Sequence, residues 1–218
     1  MSGDTLAAGG IASAMLIPRR RHDFVLEGGA IDLDGAGRLL TTRQCLLNSN
    51  RNPDWTQAVA ESALKGALSI DQVIWLGEGL RNDHTDGHVD NIARFVGPGR
   101  VLCQSPSGEN DPNRDRLFAI EADLRAAGLD VLTVPSPGRI EDLQGDPIPA
   151  SHMNFLMSNQ HVFLPIYEEV HAPKAISALQ EVLPDQKIIG LPARNILSGG
   201  GAFHCMTQHV PALTEIET

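Results

Sequence analysis

Apolar and polar positions along this chain follow one order that recurs. Two strand-like runs joined by a short turn lead into a polar loop, then a helical stretch, then a closing apolar run. The first round is expected as strands over 24–33 and 38–45, a helix over 56–68 and a closing strand over 73–77. Asp34-Gly35 between the first two runs is a hairpin signal. Val59, Ala63 and Leu64 fall on one side of the helix. The second round predicts strands over 91–96 and 100–104 around Gly97-Pro98-Gly99, a helix over 116–127 closed by Gly128, and a strand over 131–135. The third predicts strands over 153–158 and 161–165 around Asn159-Gln160, a helix over 174–183 and a strand over 187–191. Ahead of these, 4–15 reads as a weak helix, weakened by Gly9 and Gly10.

The closing strands start about 57–58 residues apart. Little residue identity accompanies that period, so pattern repeats rather than composition. A strand-strand-helix-strand unit cannot bury its faces alone, so such units must pack on one another. An α/β fold with sheets turned inward and helices outward meets that need.

Composition narrows the function. The chain has 218 residues, 42% hydrophobic and 20% charged, as in ordinary globular proteins. Its net charge of −10 disfavours nucleic acid, whose affinity comes from Lys and Arg on phosphates, and favours encounter with cations. No run approaches the roughly 18 apolar residues of a membrane span. The arginines at 19–21 follow the short apolar run at 11–17, opposite to a signal peptide. Three cysteines without framework spacing point to a reducing compartment, so a cytoplasmic, unprocessed chain is expected. Cys45 and Cys103 sit in apolar runs and read as core.

Three stretches carry candidate chemistry. In Ser198 to Gln208, three glycines lead to Cys205, with His204 beside it. Glycines allow close backbone approach, and a cysteine held after such a turn is a candidate nucleophile; a small buried hydrophobe is the competing reading. His204, on the opposite face if the segment is extended, reads as structural. In Asp83 to Asn91, two histidines and three carboxylates lie within nine residues. If extended, His88 and Asp90 point the same way, an acid/base group beside a cation site. A solvated charge run, or a metal site of His84, Asp86, His88 and Asp90, are the alternatives, although the spacing matches no usual zinc motif. Glu27 ends an apolar run before two glycines, where a carboxylate is awkward unless paired; a surface Glu at a strand end is the competing reading. His152, His161, His171 and His209 carry no partner signal and read as surface or loop residues.

Together, Leu26-Glu27-Gly28-Gly29, Thr85-Asp86-Gly87-His88-Val89-Asp90-Asn91 and Gly199-Gly200-Gly201-Ala202-Phe203-His204-Cys205-Met206-Thr207-Gln208 resemble the agmatine deiminase family. That family lies within the guanidine-modifying superfamily of arginine and peptidylarginine deiminases, and the likeness runs from about Phe24 to Pro211. The resemblance implies a pentein-like α/β propeller of five ββαβ modules. Here three are counted, over 24–218, behind a remnant helix and linker over 1–23.

It further implies that agmatine is converted to N-carbamoylputrescine and ammonia, with no metal or organic cofactor. In that scheme Cys205 is the nucleophile and forms an amidino-thioether. His88 is the acid/base group, Glu27 hydrogen-bonds His88, Asp90 binds the guanidinium, and Gly200 and Gly201 let the backbone approach. The family's N-terminal Trp-x-Arg-Asp-Gly-Pro-like motif, whose Asp also binds guanidinium, has no counterpart here. The expectation is an N-terminally truncated enzyme. An inactive fragment or subunit, or activity on arginine or peptidylarginine, are the alternatives. Uncovered module edges favour self-association into a homo-oligomer.

Overall fold

A computed structural model describes residues 4–209. The part of the expected 24–218 unit beyond 209 lies outside the described residues. Within them stand three successive ββαβ modules, each a three-stranded sheet with its first pair antiparallel and its second pair parallel. The first comprises β1 (Ile31–Leu33), β2 (Arg38–Thr42), the single turn α2 (Arg43–Leu46), α3 (Gln57–Leu68) and β3 (Gln72–Leu76). The second comprises β4 (Ala93–Gly97), β5 (Arg100–Ser105), α4 (Arg114–Ala126) and β6 (Asp130–Pro135). The third comprises β7 (Leu156–Met157), β8 (His161–Ile166), α5 (Ala172–Val182) and β9 (Lys187–Pro192), followed by the short α6 (Arg194–Leu197). The N-terminal helix α1 (Asp4–Ala14) precedes them. No described helix is long and apolar enough to cross a membrane.

The period-2 alternation of the strands sends neighbouring side chains to different layers. Leu39 of β2 and Trp75 of β3 join Ala60 and Leu64 of α3. Leu40, Ile74 and Leu76 face the other way, onto Leu117, Ile120 and Leu124 of α4. Val101 and Cys103 of β5 meet α4 from their own sheet, while Leu102 turns to Phe155, Leu164 and α5. Each later helix is therefore a wedge between its own sheet and the preceding one. In the first two modules both sheet faces are covered by this stacking, which no module achieves alone.

Capping follows the sequence. Thr56 caps α3 by accepting from Val59 N–H at 3.3 Å, and Gly128 takes φ +78 just beyond α4.

Several boundaries differ from expectation. The strand expected over 24–33 is strand only from Ile31, because Gly28–Ala30 forms a 3-10 turn. Ahead of that turn the chain is tied by Asn52, which accepts from Val25 N–H and donates to Val25 C=O, both at 2.9 Å. The run over 38–45 leaves the sheet at Thr42, whose hydroxyl accepts from Cys45 N–H at 3.1 Å and starts α2. Val59 is exposed, and Ala60 with Leu64 forms the buried face of α3. Cys45 and Cys103 are fully buried, as expected of core cysteines. His152, expected as a surface or loop residue, lies in a turn but is only 1% exposed.

Candidate active site

The segments just ahead of the first strand in each module converge. Glu27 precedes β1, His88 to Asn91 precede β4, and Asn154 precedes β7. The loop after α6 brings Cys205 to the same place. Glu27, Gly28, Gly29, His88, Gly200, His204 and Cys205 share one cavity of about 670 Å³. A larger groove of about 1100 Å³ beside it, lined by His84, Glu141 and Arg194, contains no thiol.

His88 and Asp90 do not lie on a strand. Val89–Asn91 is a 3-10 turn, so the alternation argument for their shared direction fails; His88 lines the cavity, and Asp90 lies buried behind it against His204 and Cys205. The turn is set by left-handed Asp86 (φ +59) and Gly87 (φ +79). Thr42 Oγ1 donates to Gly87 C=O at 2.7 Å, and Thr85 N–H and hydroxyl donate to Asp83 at 2.9 and 2.6 Å. A Cβ on Gly29 would stand 2.6 Å from His88 Nδ1 and 2.7 Å from Asp90 Oδ2. Only hydrogen fits between these two groups.

Asp90 is fully buried. Its Oδ2 accepts from His204 Nδ1 at 2.8 Å and from the Cys205 thiol at 3.3 Å, whereas Oδ1 has no hydrogen-bond partner among the described residues. His204 therefore belongs to the site. Residues 203–206 form a turn rather than a strand, so alternation does not turn His204 away. Burial pushes the Cys205 thiol up to about 12, with Asp90's negative charge as the second cause. A hydrogen bond from Asn154 acts in the opposite direction. Gly200 takes φ +109, and a Cβ on Gly201 would lie 2.5 Å from the Cys205 sulfur.

Glu27 lies within ion-pair range of His88, with Oε1 3.7 Å from Nε2, but beyond hydrogen-bond reach. Its direct partner is Arg51, whose Nε donates to Oε1 at 2.7 Å and Oε2 at 2.9 Å. The same guanidinium donates to Asp86 at 2.8 Å and to Thr85 C=O at 2.9 Å, so one cation ties the Glu27 segment to the His88 turn. Hydrogen bonds from Asn50, then Arg51, hold the Asp86 carboxyl below its usual range.

Two residues escaped the sequence reading. Arg51 was hidden because its carboxylate partners lie 24 and 35 residues away. Asn154 is 1% exposed; its Oδ1 accepts from the N–H groups of Ala202, His204 and Cys205 at 3.0, 3.1 and 3.2 Å. Its Nδ2 donates to Asn91 Oδ1 at 2.9 Å and to Cys205 Sγ at 3.0 Å. One signal was available: Asn91 and Asn154 each stand two residues before the first strand of their modules.

The metal alternative of His84, Asp86, His88 and Asp90 is not assembled. Asp86 is engaged by Arg51 and Asp90 by His204. Among the described residues, the group with ligating atoms drawn together is Glu27, Cys45 and His88.

Chemically, the arrangement places a thiol against a buried carboxylate that has a free oxygen, with an imidazole and a second carboxylate on the same cavity. The family model described as Porphyromonas-type peptidyl-arginine deiminase matches residues 1–211. A putative agmatine deiminase of Vibrio parahaemolyticus is 38% identical over 231 residues, covering 96% of this chain and 64% of that relative. An agmatine deiminase of Ectopseudomonas mendocina is 42% identical over 216 residues, covering 88% of this chain and 59% of its own length. The solved agmatine deiminase of Enterococcus faecalis superposes with a TM-score of 0.86 at 33% identity, over 95% of this chain and 63% of that one. The chain thus spans about three fifths of the length of the relatives it matches.

Proposed function

We propose that this chain, which belongs to the Porphyromonas-type peptidyl-arginine deiminase family, carries out deiminase chemistry on agmatine, releasing ammonia and N-carbamoylputrescine. In this reading residues 24–218 are the catalytic unit, preceded by 1–23, and the substrate follows the names of the curated relatives. The observation that carries the proposal is Asp90: a fully buried carboxylate with one oxygen on the Cys205 thiol and the other without a partner among the described residues. A planar cation with several N–H donors satisfies that oxygen and compensates the charge.

The guanidinium carbon is a poor electrophile, because its charge is spread over three nitrogens. Asp90 holds the group while the sulfur of Cys205 lies next to the carbon. In the free protein Asp90 opposes thiolate formation, and the arriving guanidinium offsets that charge. The Cys205 thiol then gives its proton to His88, and the thiolate attacks the carbon. His88 donates a proton to the departing nitrogen, which leaves as ammonia, and an amidino-thioether remains on Cys205. His88 next takes a proton from water; the hydroxide adds to the carbon, and the Cys205 sulfur is expelled as the thiol, taking the proton of the new hydroxyl, to give the urea product. Glu27 orients His88, and Arg51 fixes Glu27. Gly200 and Gly201 keep the cavity wall free of side chains beside the sulfur.

Incubation with agmatine, with ammonia as the readout, tests this. Ammonia release that disappears in Cys205→Ala supports it; no ammonia above that control contradicts it. Arginine and a peptidyl-arginine substrate serve as comparisons, and both are expected to turn over more slowly.

A further inference from the structure

We infer that Glu27, Cys45 and His88 form a binding site for a thiophilic divalent cation of the Zn²⁺ type, distinct from the Cys205 thiol. Each residue offers one ligating atom, and the three atoms lie within 4.8 Å of one another. The mechanism has no use for Cys45, yet the fold seats it beside both members of the Glu27–His88 pair. The donor set is one carboxylate oxygen, one thiol sulfur and one imidazole nitrogen, which suits Zn²⁺ and disfavours Mg²⁺ or Ca²⁺.

A second observation is independent of the cluster itself. His88 is 7% exposed, and its Nε2 has no hydrogen-bond partner among the described residues. That nitrogen faces Glu27 Oε1 at 3.7 Å. A buried imidazole nitrogen left in this way is ready for a ligand. Bonds of about 2.0–2.3 Å around a tetrahedral ion set its ligands roughly 3.3–3.8 Å apart. The oxygen and nitrogen already match that separation. The sulfur needs at most about 1 Å of approach to the other two atoms, within reach of small side-chain rotations of Glu27, Cys45 and His88.

Binding is a proton exchange. Burial keeps the Cys45 thiol protonated, with its pKa up to about 12. The cation takes the thiolate and releases one proton to solvent, with no change of oxidation state. Arg51 competes for Glu27 and keeps its bonds to Asp86 and Thr85 C=O when the cation arrives. With Nε2 on the cation, His88 no longer moves protons. The inhibition that follows rests on the deiminase reading; the binding itself does not.

Titration of the metal-free full chain with Co²⁺ alone tests the site without turnover. A near-ultraviolet thiolate-to-cobalt band that saturates at one equivalent, persists in Cys205→Ala and disappears in Cys45→Ala is expected. Zinc X-ray absorption of the wild-type protein, which needs no variant, should show one sulfur among nitrogen and oxygen ligands. A band that survives Cys45→Ala, one that is lost in Cys205→Ala, or no stoichiometric Co²⁺ or Zn²⁺ retained by the wild type overturns the inference.

Discussion

The Asn154 side-chain amide donates to the Cys205 sulfur at 3.0 Å while its carbonyl oxygen accepts from Cys205's own N–H at 3.2 Å. One side chain thus positions the loop and acts on the thiol. Replacing it with alanine removes a donor that favours the thiolate and leaves the N–H groups of Ala202, His204 and Cys205 without their acceptor. Asn154→Ala is expected to shift the pH profile of Cys205 alkylation upward and to lower kcat by about 10²-fold. A stability loss of about 2–4 kcal/mol should accompany it, at about 1 kcal/mol per hydrogen bond. Iodoacetamide rates across pH and urea unfolding read the two effects separately.

Asp90 acts on the same sulfur with the opposite sign. Its charge is the second cause, after burial, of the raised thiol pKa. Asp90→Asn should therefore move the alkylation profile downward while reducing agmatine turnover by about 10³-fold or more, because the buried cation partner is lost. A variant with a more reactive thiol and a much slower reaction separates sulfur ionisation from substrate holding. Parallel loss of both would contradict this assignment.

Gly201→Ala places a methyl 2.5 Å from the Cys205 sulfur. Gly201 does not occupy the left-handed region, but the methyl would also stand 2.6 Å from the Cys205 Cβ, so both the thiol and the loop that carries it must shift. Turnover should fall by about 10²-fold or more, following the rule that an ångström of misplacement costs that much. The thermal midpoint should fall as well, because the loop must move to relieve the contact with the Cys205 Cβ. A drop in stability without loss of rate would show that the contact is structural only.

The buried histidine away from the site gives a prediction for pH. His152 is 1% exposed, and its Nδ1 lies 2.7 Å from Pro135 C=O. Burial lowers its pKa to about 4. Below the ordinary value of 6.5 the unfolded chain binds a proton that the folded chain refuses, so stability falls as pH falls from 6.5 toward 4 and levels off below. The full span is worth roughly 3 kcal/mol at 1.36 kcal/mol per pKa unit. Urea midpoints measured between these pH values should decline less steeply in His152→Gln than in the wild type.

Much of the architecture was legible because each module repeats one order of apolar runs and glycine turns, and strand alternation is a strong local signal. Boundaries failed where a side chain competes with the ladder, the distant Asn52 at Val25 and the local Thr42 at the start of α2. Among the site positions, Cys205, His88, Asp90 and Glu27 stood out by residue type within short motifs. Their mutual geometry did not, because strand alternation does not hold on the 3-10 turn at Val89–Asn91 or the turn at His204. Arg51 and Asn154 were silent because their importance comes from partners 24 to 63 residues away. A local pattern carries no trace of such pairings.

The central claim is that Cys205 bonds covalently to the substrate's guanidinium carbon. Acid-quenched turnover with agmatine, followed by mass analysis of the peptide containing residue 205, tests it most directly. A mass gain equal to agmatine less ammonia, located on Cys205 and absent from Cys205→Ala, is the predicted result. Ammonia production that persists in Cys205→Ala, or an adduct located on Cys45 or Cys103, would contradict it.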